Sequence, residues 1–151
     1  MKLLITGGCG FIGSNFIRHI LTKYPNYFVI NLDKLTYCGN KENLKDCESN
    51  SRYSFVQGDV CDPPLVNAQM GKVDVVIHFA AESHVDNSII HPFIFTKTNV
   101  RGTHIFLEAA LKNNIKRFVY VSTDEVYGSI ENGTFKETDI LKPSSPYSAS
   151  K

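Results

Sequence analysis

Thr123, Asp124 and Glu125 stand side by side, and farther along Tyr147 and Lys151 lie four positions apart. Residues four apart on a helix share a face about one turn from each other. A tyrosine acting as a base near neutrality must lose roughly three units from its ordinary pKa of about 10, or about 4 kcal/mol. An ammonium about 4 Å away, at an effective dielectric near 20, supplies roughly that much. The same spacing also occurs on solvated helices, and an adjacent acid pair can simply cap a loop, so both readings stay open on these residues alone.

The stretch from Lys2 to Ser14, KLLITGGCGFIGS, reads as a short apolar strand, a glycine turn and the start of a helix. Its glycines at 7, 8, 10 and 13 satisfy both G-x-x-G-x-x-G and G-x-G-x-x-G. Such a turn can take positive φ and close its N–H groups on a pyrophosphate. The helix that follows, with Phe11, Ile12, Phe16, Ile17, Ile20 and Leu21 on one face, points its N-terminus at that anion. A second apolar strand, FVINLD, ends in Asp33, at the offset from Gly13 where a carboxylate takes the adenosine ribose hydroxyls. An acid there repels a 2′-phosphate, which predicts NAD rather than NADP, while Lys34 beside it pulls the other way.

The elements that position these residues alternate. Strands are predicted over 2–6, 28–33, 53–57, 73–79 and 117–122. Helices are predicted from Phe11, over 41–47, after the Asp62-Pro63 cap, from Pro92 to about residue 113, and from Pro146. The pattern predicts an α/β fold, a Rossmann-type doubly wound parallel sheet. Ligands bind such a sheet beyond the carboxyl ends of its strands, which here means residues 6–13, 33–36, 59–60, 80–86 and 122–128.

Bulk composition narrows the partners. The chain has 151 residues, 42% hydrophobic and 21% charged, which is a globular domain with a real core. A net charge of +1 with dispersed Lys and Arg argues against nucleic acid and anionic membrane. No apolar run approaches the ~18 residues of a membrane span, and the chain enters a strand at once, leaving no room for a signal peptide. Cys9, Cys38, Cys47 and Cys61 show no C-x-x-C spacing, so neither disulfides nor a metal site is expected, and the expected compartment is cytoplasmic. Ser83-His84-x-Asp86 is too local for a hydrolase triad, and no G-x-S-x-G elbow accompanies it. His19, His78, His91 and His104 lack ligand spacing, and Asn99 and Gly102 read as packing residues.

Taken together, the glycine loop through Gly13, Asp33, Gly58-Asp59, His78-Phe-Ala-Ala81, Asn99-Val-x-Gly-Thr103, Ser122-Thr123 and Tyr147-x-x-x-Lys151 resemble the extended short-chain dehydrogenase/reductase family. Within it, DKLTY from Asp33, AAESHVD from Ala80 and STDEVYG from Ser122 are similar to nucleotide-sugar 4,6-dehydratases, above all those acting on dTDP-glucose. Sugar 4-epimerases of the same family usually lack the acid pair.

The resemblance implies NAD as cofactor and dTDP-glucose or UDP-glucose as substrate. Tyr147, held by Lys151, would take the 4-hydroxyl proton, Glu125 the C5 proton, and Asp124 would protonate the departing 6-hydroxyl, which calls for unequal environments and a raised pKa on Asp124. Thr123 would bond the 4-oxygen. Gly7, Gly10, Phe11, Ile12 and Gly13 would line the pyrophosphate. Asp33, Lys34, Leu35 and Thr36 would line the adenosine ribose, and Asp59 and Val60 the adenine. Phe79, Ala80, Ala81, Glu82, Ser83 and Thr98 would run along the nicotinamide half, with Ser83 also facing the sugar. A 4-epimerase and a dinucleotide-binding module without turnover are the alternatives.

The family's chains are longer and act as homodimers. The expectation is therefore one NAD-binding domain truncated after its fifth strand, lacking the sugar-nucleotide lobe and inactive alone. Helices as short as the last one are unstable in isolation, which predicts poor order after Pro143. Phe93, Val100, Phe106 and Leu107 are expected on an exposed apolar face that drives self-association.

Overall fold

The computed structural model describes all of residues 1–151. They group into two compact units, Met1–Ala80 with Gly102–Val121, and Ala81–Arg101 with Ser122–Lys151.

The first unit is a five-stranded parallel sheet. Its strands are β1 (Lys2–Thr6), β2 (Phe28–Asp33), β3 (Tyr53–Gln57), β4 (Val75–His78) and β5 (Arg117–Tyr120), in the order β3-β2-β1-β4-β5. Leu4 lies opposite Ile30 on one side and Val76 on the other. The order reverses at β1, so the chain leaves β1 at the switch point where such sheets bind ligands. Beyond Lys2 every residue of β1 is buried, as in a parallel sheet covered on both faces.

Successive strand residues face opposite sides, and the two faces carry separate cores. Leu4, Leu32 and Val76 pack under α2 (Pro63–Met70) and α5 (Thr103–Lys112) with Val66, Met70, Phe106 and Ala109. Leu3, Ile5 and Val29 pack under α1 (Phe11–Lys23) with Ile17, Ile20 and Leu21, joined by Leu44 and Cys47 of the 3-10 helix Lys41–Cys47. Each large side chain fully buried this way contributes about 1.5–3 kcal/mol.

Two expectations change here. Phe106 is completely buried and stacks on the His78 ring at 4.9 Å, so it belongs to the sheet core and not to an outer face; Phe93, Val100 and Leu107 are exposed. Phe11 and Ile12 leave the core stripe of α1 and stand 83% and 63% exposed, because Gly13 and Ser14 occupy the buried side of the first turn.

The second unit holds α3 (Val85–Ile90), α4 (Pro92–Phe95), the π-helix Thr96–Gly102 up to Arg101, the 3-10 helix Asp124–Tyr127, and α6 (Pro146–Ser150). The helix predicted from Pro92 thus contains a π-helical stretch, and α3 is an added element. The expectation of poor order beyond Pro143 does not hold. Ser145 and Ser148 form a reciprocal capping box, which satisfies first-turn donors that an uncapped helix leaves bare. Tyr147 is buried with its ring edge on Phe95 at 6.4 Å, so packing supplies what helix length does not.

Candidate functional site

In the first unit the chain turns sharply at the end of β1. Gly7 has φ of 68°, a conformation that a side chain disfavours, and a Cβ on it would stand 2.7 Å from the Ala80 nitrogen. A Cβ on Gly13 would press on the Gly7 carbonyl oxygen. The loop is stitched by Gly7 N–H to the Leu32 carbonyl (3.0 Å) and Gly10 N–H to the Gly7 carbonyl (3.2 Å). The first-turn N–H groups of α1 have no intrahelical acceptor and face the loop mouth with the helix dipole behind them. Backbone donors and a cradle closed to side chains fit the diphosphate of a dinucleotide, and an acid at the end of β2 fits its ribose hydroxyls.

Asp33 is 8% exposed and braces that loop. Its Oδ2 accepts the Cys9 N–H and its Oδ1 the Leu35 N–H, both at 2.8 Å. The Cys9 carbonyl in turn accepts from Asn40 N–H (3.0 Å) and Asn43 Nδ2 (2.9 Å). Burial, with the Asp33 charge behind it, pushes the Cys9 thiol up to about 11, so it stays protonated and inert. Beside Asp33, Lys34 Nζ lies 2.8 Å from Asp59 Oδ2. Leu35 takes the left-handed backbone region at φ 59°, Thr36 is exposed and Val60 is buried.

His78, at the end of β4, is fully buried between two hydroxyls. The Thr6 hydroxyl accepts the Ala80 N–H at 3.1 Å and shares a hydrogen bond with His78 Nδ1 at 2.6 Å. His78 Nε2 shares a second hydrogen bond with Thr103 Oγ1 at 3.1 Å. This relay fixes Ala80 against the end of β1. Phe79 packs its ring on Phe16 at 5.3 Å.

In the second unit, Thr123 caps the 3-10 helix that carries the acid pair. Its Oγ1 accepts the Glu125 N–H at 3.3 Å and donates to Asp124 Oδ1 at 3.2 Å. Asp124 and Glu125 are exposed, and Thr123 is half-buried. Lys151, the C-cap of α6, is half-buried, and burial alone pushes its ammonium down to about 8. The Ser122 hydroxyl donates to the Lys151 carbonyl at 3.2 Å, which ties the start of the Thr-Asp-Glu segment to the end of the Tyr147 helix.

Asn99, read from sequence as a packing residue, is a clasp. Buried within the π-helix, its Oδ1 accepts the Glu82 N–H (2.8 Å) while Nδ2 donates to the Glu82 carbonyl (2.9 Å) and to Ser150 Oγ (2.8 Å). Ser150 Oγ donates onward to the Tyr147 carbonyl at 2.7 Å. Segment 81–83 and the Tyr147 helix are thereby joined, with Ala81 half-buried, Ser83 exposed and Thr98 half-buried. Sequence carries no sign of this beyond an Asn inside a helical run. His84 Nδ1 accepts the Asn87 N–H at 3.5 Å as the N-cap of α3, which gives the Ser83-His84-x-Asp86 motif a structural role.

The predicted residues thus fall into two sets. The first unit assembles Gly7, Gly10, Gly13, Asp33, Lys34, Leu35, Asp59, Val60, Phe79 and Ala80 at the carboxyl ends of β1, β2, β3 and β4. The second brings Thr123, Asp124, Glu125, Tyr147 and Lys151 onto two helical segments that pack together.

The family model described as GDP-mannose 4,6 dehydratase matches residues 4–151. The dTDP-D-glucose 4,6-dehydratase of Homo sapiens is 45% identical over 152 residues, which cover 99% of this chain and 43% of the human protein. Among solved structures, the DesIV dTDP-glucose 4,6-dehydratase of Streptomyces venezuelae, crystallised with NAD, is 50% identical with a TM-score of 0.96, covering 100% of this chain and 48% of that one. The UDP-Glc/GlcNAc 4-epimerase of Campylobacter jejuni shares the fold at 31% identity and a TM-score of 0.91, covering 99% and 45%. The chain spans about half the length of the curated relatives it matches.

Proposed function

Because the chain belongs to the family described as GDP-mannose 4,6 dehydratase, we propose that residues 1–151 are the NAD-binding part of a nucleotide-sugar 4,6-dehydratase acting on dTDP-glucose. The first unit holds the dinucleotide through its glycine loop and Asp33, and the second carries the proton-transfer groups. NAD, when bound, supplies the acceptor for a hydride from C4 of the hexose and returns it to C6. The Lys151 ammonium favours the Tyr147 phenolate, which takes the proton of the 4-hydroxyl as C4 is oxidised and becomes the neutral phenol. Thr123 bonds the 4-oxygen. The new ketone acidifies C5, whose proton Glu125 removes. Asp124 gives a proton to the 6-hydroxyl, which leaves as water. Reduction at C6 with a proton restored to C5 leaves a 4-keto-6-deoxy sugar, so the cofactor is regenerated.

The acid pair carries this reading over the epimerase. Asp124 and Glu125 follow β5 on a turn whose cap, Thr123, bonds both the Glu125 N–H and the Asp124 carboxylate. An epimerase removes no C5 proton and expels no water, so it has no use for that pair. A chain extended to the length of its relatives, incubated with dTDP-glucose and with UDP-glucose, is expected to form the alkali-absorbing 4-keto-6-deoxy product from dTDP-glucose. Formation of the galactose epimer without that product would overturn the reading. UDP-glucose turnover at equal rate would assign the base differently.

For residues 1–151 alone we expect at most weak NAD binding, seen by calorimetry, and no product overnight, because Tyr147 and Lys151 lack the sugar-binding lobe of the longer relatives. The extended protein is expected to be a homodimer in the cytoplasm.

A further inference from the structure

A carboxylate at the end of β2 disfavours a 2′-phosphate on the adenosine ribose, whereas a cation at the neighbouring position accommodates one. Asp33 and Lys34 place both charges side by side, so their order alone leaves the preference divided. Geometry separates them. Asp33 is held at the end of β2 by two backbone N–H groups, those of Cys9 and Leu35. Lys34 is drawn aside, with its Nζ 2.8 Å from Asp59 Oδ2. Asp59 is itself anchored, since its Oδ1 accepts the Cys61 N–H at 2.9 Å. Partial burial pushes the Asp59 carboxyl up, but the Lys34 ammonium and the Cys61 N–H outweigh it and hold the group below its ordinary value. It is therefore ionised at neutral pH and keeps hold of the lysine.

We propose that Asp59 is a specificity-determining residue for the dinucleotide: by holding the Lys34 ammonium it withdraws from a 2′-phosphate the cation that would otherwise receive it. Discrimination against NADP then rests on three residues, Asp33 by repulsion and Asp59 by keeping Lys34 occupied. The inference rests on the dinucleotide reading of the glycine loop. An exposed ion pair is modest, up to about fivefold in an equilibrium, so the expected effect is a shift in preference and not its inversion. Adenine is common to both nucleotides, so any contact it makes with Asp59 cancels in the ratio of the two affinities.

The test is the ratio of NADP to NAD dissociation constants, measured by ligand-observed NMR titration on the chain extended to the length of its relatives, unsubstituted and as Asp59→Asn, Lys34→Met and the double variant. Asn keeps an oxygen for the Cys61 N–H; Asp59→Ser repeats the arm with a different side chain. Asp59→Asn is expected to lower the ratio about fivefold. Lys34→Met is expected to move it less than twofold, and the double variant to match Lys34→Met. An unchanged ratio in Asp59→Asn overturns the proposal, and so does a gain that survives in the double variant, which would mean that Asp59 acts by its own charge. NAD binding with an unmoved ratio sinks this inference alone, whereas no NAD binding by any of the proteins sinks the dinucleotide reading beneath it.

Discussion

Gly7 meets two independent demands, a positive φ and a Cβ position 2.7 Å from the Ala80 nitrogen. Relieving the second means moving backbone that the Thr6 hydroxyl holds through the Ala80 N–H. Gly7→Ala is therefore expected to destabilise the chain by about 2 kcal/mol and to abolish NAD binding, checked by urea unfolding and calorimetry. Wild-type affinity in that variant would remove the loop from the site. Lys151 yields a pH prediction. Its folded pKa of about 8 lies below the ordinary 10.5, so between those values the unfolded chain binds the proton that the folded chain has lost. Stability then rises with pH across that window, and the penalty for burying the charge is fully present below it. Lys151→Met lacks the penalty. It should exceed the unaltered chain in stability at pH 7, with the gap closing by pH 10 in urea titrations, and a gap that widens would contradict the assignment to burial.

Elements whose determinants are local were legible, and those fixed by distant partners were not. The β3 bounds Tyr53–Gln57 match the run YSFVQ ended by Gly58-Asp59, and α2 begins where Asp62 and Pro63 predict, with the Asp62 side chain accepting the Leu65 N–H at 3.1 Å. The glycine loop and Asp33 were equally plain, since their offset is a property of one βαβ unit. By contrast α3 has six residues and a histidine cap, too short for any period to register. Within the π-helix Thr96–Gly102, Asn99 bonds Glu82 and Ser150, which are distant in sequence, and the Lys34–Asp59 pair joins residues on different strand ends. For α6, length predicts instability and the capping box reverses it. Ser145→Ala removes the side-chain acceptor of the Ser148 N–H, worth about 1 kcal/mol. The expected readout is faster hydrogen exchange at Ser148 and Ala149 with no change at Leu4 or Leu32. Uniform acceleration across the sheet would mean that α6 is no separate opening unit.

At the scale of the molecule, the sheet core is closed on both faces while the surface of the second unit is not. Ile89, Ile90 and Phe93 are 65%, 68% and 75% exposed, and Ile94 is 46% exposed. Four large apolar side chains at residues 89–94 exceed what a solitary soluble surface usually leaves uncovered. A cationic rim of Lys97 and Arg101 borders Phe93 around a shallow depression, and charges of one sign at a rim slow association without removing its apolar drive. With a net charge of only +1, long-range repulsion between copies is weak. Residues 1–151 are therefore expected to self-associate at micromolar concentrations, with sedimentation velocity showing a dimer or larger species that persists in ~0.5 M salt, where charge contacts are screened. Ile90→Ser with Phe93→Ser should return the chain to a monomer without lowering its unfolding midpoint, since both side chains are already in water. Association that survives this pair would place the contact elsewhere, and a monomer in the unaltered chain would show that the apolar residues are too dispersed to act as one surface.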